Sequence, residues 1–70
     1  MKPVSGKRMC EILAAKGWVL ERIRGSHHSF RHPTKRSRIA VPVHGHHDLT
    51  PGTQRSIMRQ AGLTDADLGK

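Results

Sequence analysis

Six histidines and a run of cations share one stretch of this 70-residue chain. Between Arg22 and His47 there is no carboxylate, while the same segment holds Arg22, Arg24, Arg31, Lys35, Arg36 and Arg38 together with His27, His28, His32, His44, His46 and His47. Imidazole is the side chain suited to moving protons near neutral pH, and guanidinium or ammonium groups stabilise charge that develops on phosphoryl oxygens. Those are the parts needed to break RNA, which carries its own nucleophile. A base removes the 2′-OH proton, the oxygen attacks the adjacent phosphorus, and cations hold the phosphoryl group. DNA lacks that hydroxyl, and metal-dependent nucleases draw on carboxylates that this stretch does not have. A metal site built from His44-Gly45-His46-His47 with Asp48 is the competing use of the histidines. Without cysteine ligands or a fixed scaffold, it points to adventitious zinc, copper or nickel binding rather than a functional site, and no cofactor is expected.

Composition narrows the classes. Thirteen Lys plus Arg against five Asp plus Glu leave a net charge of +8 before any histidine is counted, which calls for a polyanionic partner. No apolar run approaches the ~20 residues of a membrane span. The opening Met-Lys-Pro-Val-Ser-Gly-Lys-Arg has no apolar core of a secretory signal. Cys10 stands alone, so neither an intrachain disulfide nor a CxxC zinc site is available. The expectation is a cytoplasmic protein. At this length it is one domain over residues 1–70, with an ordered core of about 5–68.

The elements that position these groups follow from periodicity. Ser5 is placed to cap a helix whose apolar face is Met9, Ile12 and Leu13, with Gly17 as its stop. Trp18 to Arg24 is rich in strand formers and runs into the turn pair Gly25-Ser26. A second strand covers roughly His27 to His32 and ends at Pro33, and Thr34 to Ser37 forms an exposed basic loop. The third strand is Arg38 to Val43, where Pro42 argues for an edge strand or a last pairing position. Thr50-Pro51 reads as N-cap and first helical residue of a second helix carrying Ile57 and Ala61. That helix stops at Gly62, and Leu63 makes the hydrophobic contact of a Schellman ending. Thr64 to Asp67 caps one last turn before a C-terminus expected to fray. The order α-β-β-β-α predicts an α+β fold, both helices lying on one face of a three-stranded antiparallel sheet.

Such a sheet has one open face, and the two-residue strand period assigns side chains to it. With Phe30 inward, His28 and His32 share its side, and His27, Ser29 and Arg31 point outward. Ile39, Val41 and Val43 face in, leaving Arg38 and Ala40 out. In the first strand Trp18 and Leu20 share parity with Arg22 and Arg24, so the assignment fails there unless a bulge or twist near Glu21 intervenes. His27 emerges as the outward histidine that follows a turn and sits among arginines. Trp18 and Phe30 are the only aromatic side chains of the Phe, Trp and Tyr kind, and both belong to the core, leaving no stacking platform for bases.

Four blocks in series then resemble one family. SGKRMCEILAAKGW at Ser5 to Trp18, GSHHSF followed by RHP from Gly25, VPVHG at Val41 to Gly45 and PGTQRSIMRQAGL at Pro51 to Leu63 resemble the HicA family. The resemblance runs from Ser5 to about Leu68. It implies a toxin of a bacterial or archaeal toxin–antitoxin pair, a ribosome-independent mRNA interferase with a double-stranded-RNA-binding-domain-like fold. Carried over by position, it makes His27 the catalytic histidine, with Gly25 and Ser26 supporting its turn. His44 matches a recurrent family residue whose role is a general acid, a supporting contact or purely structural; Pro42 and Gly52-Thr53 match as architecture. It further implies a HicB-type antitoxin covering the basic face and His27, a free toxin that is monomeric and a higher assembly with the antitoxin. Two other functions stay open beside the ribonuclease. One is a non-catalytic RNA-binding module held by shape and phosphates, and the other is a histidine-rich metal carrier.

Overall fold

A computed structural model describes residues 1–69. Helix α1 spans Gly6–Ala15, strands β1, β2 and β3 span Val19–Arg24, His27–Arg31 and Ile39–Pro42, helix α2 spans Pro51–Ala61, and a closing 3-10 turn covers Asp65–Leu68. The strands form one antiparallel sheet in the order β1-β2-β3. This is the α-β-β-β-α arrangement expected from the sequence. Strands β2 and β3 are shorter by one and two residues than their periodicity suggested, because His32 from the first, and Arg38 and Val43 from the second, fall outside the ladder.

Local chemistry sets the helix ends. The Arg8 N–H donates to Ser5 Oγ at 3.0 Å, which caps α1 as the sequence indicates. At α2 the N-cap is Thr50 and Pro51 follows, but the Thr50 hydroxyl donates to Thr53 Oγ1 at 3.0 Å instead of accepting a backbone N–H. Gly62 ends α2 in the left-handed region, and the Leu63 N–H reaches Met58 O at 2.9 Å, the long bond of a Schellman motif.

Both helices lie over β3, and α1 also reaches β1. Met9, Ile12 and Leu13 from α1 meet Ile57, Met58 and Ala61 from α2 above Trp18, Phe30, Ile39 and Val41 of the sheet. Both chain ends are tied to this core. Leu68, at the limit of the expected ordered core, is buried in it, and the turn that it ends is closed by a reciprocal cap between Thr64 and Asp67. The Lys16 ammonium, 2.8 Å away, and then the Thr64 N–H hold the Asp67 carboxyl below its usual range. At the other end Val4 is buried, and its backbone oxygen accepts the Leu49 N–H at 2.9 Å. Buried Gln54 latches this segment: its Oε1 accepts the Val4 N–H at 3.1 Å and its Nε2 donates to Lys2 O at 2.6 Å. Both ends of the buried amide are thereby satisfied.

Candidate nucleic-acid interface around His27

The β1–β2 hairpin closes through two residues, with Gly25 at φ 59° and Ser26 not in the positive region. A positive φ at the first central position alone is the type II′ pattern, whose twist matches the strands it joins. A Cβ at Gly25 would meet nothing within 4 Å, so the requirement for glycine there is conformational rather than steric. His27 is the first residue after this turn. It is exposed, directly opposite Arg24 on β1 and Pro42 on β3. Opposed residues of an antiparallel pair share a face, and Phe30 on the same strand is buried toward the helices, so His27 and Arg24 stand on the open face.

The parity conflict in β1 is resolved by a bulge. Leu20 opposes Phe30 and Arg22 opposes Ser29, which leaves Glu21 as the extra residue. Trp18 and Leu20 therefore lie on the helix side, and beyond the bulge Ile23 takes that side while Arg22 and Arg24 turn to the open face. Row by row, that face presents Arg24, His27 and Pro42, then Arg22, Ser29 and Ala40, then Arg31 opposite Val19. One acid enters it from outside the acid-free stretch. Glu21 accepts from Arg38 Nε at 3.0 Å through both carboxylate oxygens, so Arg38 is already paired on the face. Sequence reasoning missed this pair because the partners are far apart in the chain; the parity break near Glu21, read as a bulge or a twist, was its only signal.

Phosphate binding through Arg38 must displace that carboxylate. Glu21→Gln removes the competitor and one unit of negative charge. It is expected to tighten RNA binding by about 2- to 5-fold at low salt, the gain fading as salt rises. Fluorescence anisotropy over a salt series checks it, and an unchanged affinity would show that Arg38 does not meet RNA.

The remaining cations divide. Lys35 Nζ lies 5.8 Å over the Trp18 ring, against which His32 packs edge-on with ring centroids 5.1 Å apart. The basic loop thus folds back on Trp18, at the end of the sheet away from His27, and Lys35 is not gathered with Arg22 and Arg24. Arg36 is exposed on the same loop. His28 is half-buried on the core side opposite Ile23 and Val41, its Nδ1 enclosed without a hydrogen-bond partner among the described residues. His44 lies just past β3, where the Val43 N–H donates to Ser26 O at 2.7 Å. That bond brings the end of the third strand beside the Gly25-Ser26 turn. His44 and His47 line a cleft of about 180 Å³ against Asp48, Thr50 and Thr53. Among the described residues no three His, Cys, Asp or Glu side chains converge as metal ligands. Burial, and then Glu11, push the Cys10 thiol up, which keeps it protonated and unsuited to nucleophilic work at neutral pH.

Among the described residues no helix is long and apolar enough to cross a membrane. The family described as "HicA toxin of bacterial toxin-antitoxin" matches residues 6–63. No curated protein matches the chain.

Proposed function

We propose that this chain, which belongs to the HicA toxin family, is an mRNA-cleaving endoribonuclease toxin with His27 as its general base. The observation that carries the reading is the exposed His27 on the open sheet face, opposite Arg24 and one row from Arg22. Neutral imidazole takes the 2′-OH proton, the 2′-oxygen bonds to the adjacent phosphorus, and the bond to the 5′-oxygen breaks, leaving a 2′,3′-cyclic phosphate. Arg22 and Arg24 hold the phosphoryl oxygens as their charge grows, with Arg31, Arg36 and Arg38 tracking neighbouring phosphates and Lys35 serving a strand that passes Trp18. Because RNA supplies the nucleophile, no metal takes part in this step. Gly25 and Ser26 present the imidazole and take no proton themselves.

The departing 5′-oxygen needs a proton, and His44 supplies it. The 2.7 Å bond from Val43 to Ser26 supports this role by bringing the residue before His44 beside the turn that precedes His27. A bell-shaped pH–rate profile is the expected result for the parent, with the alkaline limb lost in His44→Ala. A profile unchanged by the substitution would remove His44 from the reaction.

A HicB-type antitoxin neutralises the basic face and shields His27, in an assembly larger than the monomeric free toxin, and the cytoplasm is where both would meet mRNA. The direct test is a long mRNA incubated with purified protein in EDTA. Discrete cleavage products support the reading. Intact RNA retained by folded protein, with strong salt dependence, would leave a binding module in its place.

A further inference from the structure

The sheet's β1 edge is unpaired among the described residues, and its two sides differ in charge. Leu20 and Ile23 are 46% and 55% exposed, although both stand on the helix-covered side of the sheet. The bulge makes them face-neighbours: they oppose Phe30 and His28, which are two apart on β2. Both helices lie over β3 and α1 also reaches β1, yet this pair stays exposed beside their cover. On the open side the same strand carries Val19 at its start and then Arg22 and Arg24. Edge strands in soluble proteins are usually blunted by charge, and here the charge guards one side while the other offers branched apolar carbon.

We propose that β1 is where the antitoxin docks, by adding a strand of its own to this edge. The inference rests on the toxin reading above and specifies where neutralisation occurs. The occupant's chemistry is set by the two sides of β1: apolar residues toward Leu20 and Ile23, and alternating carboxylates toward Arg22 and Arg24. A second copy of this chain fits poorly. Each copy carries +8, and antiparallel pairing of two β1 strands would bring four arginines onto one face. The acid that could relieve them, Glu21, is already committed to Arg38. A strand seated on β1 lies about 10 Å from β2, two strand spacings away, and its carboxylates would occupy the arginines beside His27. Neutralisation then begins with taking the phosphate clamps beside His27 away from RNA.

The test uses the intact chain and its purified HicB-type antitoxin. Leu20→Thr with Ile23→Thr keeps charge and strand propensity and alters no residue assigned to RNA. The double variant is expected to cleave mRNA and arrest growth like the parent, to bind the antitoxin about 100-fold more weakly, and to escape its rescue. In the parental complex, β1 amides that exchange freely in the free chain should become protected. Parental affinity in the variant, or β1 amides that exchange equally in both states, would overturn edge docking and leave the toxin reading intact. A parent that dimerises by sedimentation, with the variant monomeric, would give the edge to a second copy and also overturn it. A parent that neither arrests growth nor binds the antitoxin would bring down the toxin reading, and this proposal with it.

Discussion

His27→Ala is expected to slow RNA cleavage by about 10²- to 10⁴-fold, the range by which a positioned general base accelerates proton transfer. Its effect on folding should be small. His27 is exposed at the first position of β2 and contributes nothing to the buried core, so its truncation opens no cavity. RNA affinity should hold within a few-fold, because the clamps at Arg22 and Arg24 remain on the face. Single-turnover kinetics on a long mRNA, with binding measured separately, divides these terms. A fall in the chemical step with binding kept supports the base. Full activity in the variant would overturn it, and cleavage absent from parent and variant alike would favour a module that binds without chemistry.

Gly6→Ala should destabilise the domain, although helix propensity by itself argues the reverse. Gly6 is buried as the first residue of α1, and a Cβ there would run into the backbone carbonyl of Pro42, with Val43 Cα 3.1 Å away. Both obstacles are main chain at the end of β3, which cannot swing aside as a side chain does. Overpacking of this kind costs about 1–3 kcal/mol, which for a domain of this size lowers Tm by roughly 5–20 °C. Cleavage should fall as well, since the displaced segment includes the Val43–Ser26 bond beside the turn that presents His27. Gly52→Ala in α2 is the control. A Cβ there meets nothing within 4 Å, so thermal melts should show it neutral or slightly stabilised. A parental Tm in Gly6→Ala would deny the close approach of α1 to β3.

Much of the fold was legible because it is decided by neighbours in the chain. Ser5, Gly17, Pro51 and Gly62 mark the helix ends through short-range backbone chemistry, and Gly25-Ser26 between two runs of strand formers signals a hairpin turn. Strict alternation in β2 assigned His27 to the open face before any packing was known. Even the conflict in β1 was informative, since a strand whose apolar parity changes midway requires an extra residue, and Glu21 is that residue.

What the sequence by itself determined, then, is the order of elements, the turn that presents His27 and the excess of cations around it. Only the tertiary structure decided which cations are available. Glu21 reaches Arg38 across the sheet, and Lys35 turns back onto Trp18, because those distances are set by strand pairing and loop path rather than by local sequence. The same holds for the chain ends. Val4 and Leu68 look like terminal residues, yet both are buried through partners far along the chain: Gln54 and Leu49 for Val4, the Lys16–Asp67 pair for the turn that ends at Leu68. The exposure of Leu20 and Ile23 is likewise a tertiary fact. Their pattern is that of buried strand residues, and they stay uncovered because two short helices over β3 are too narrow to shelter a third strand.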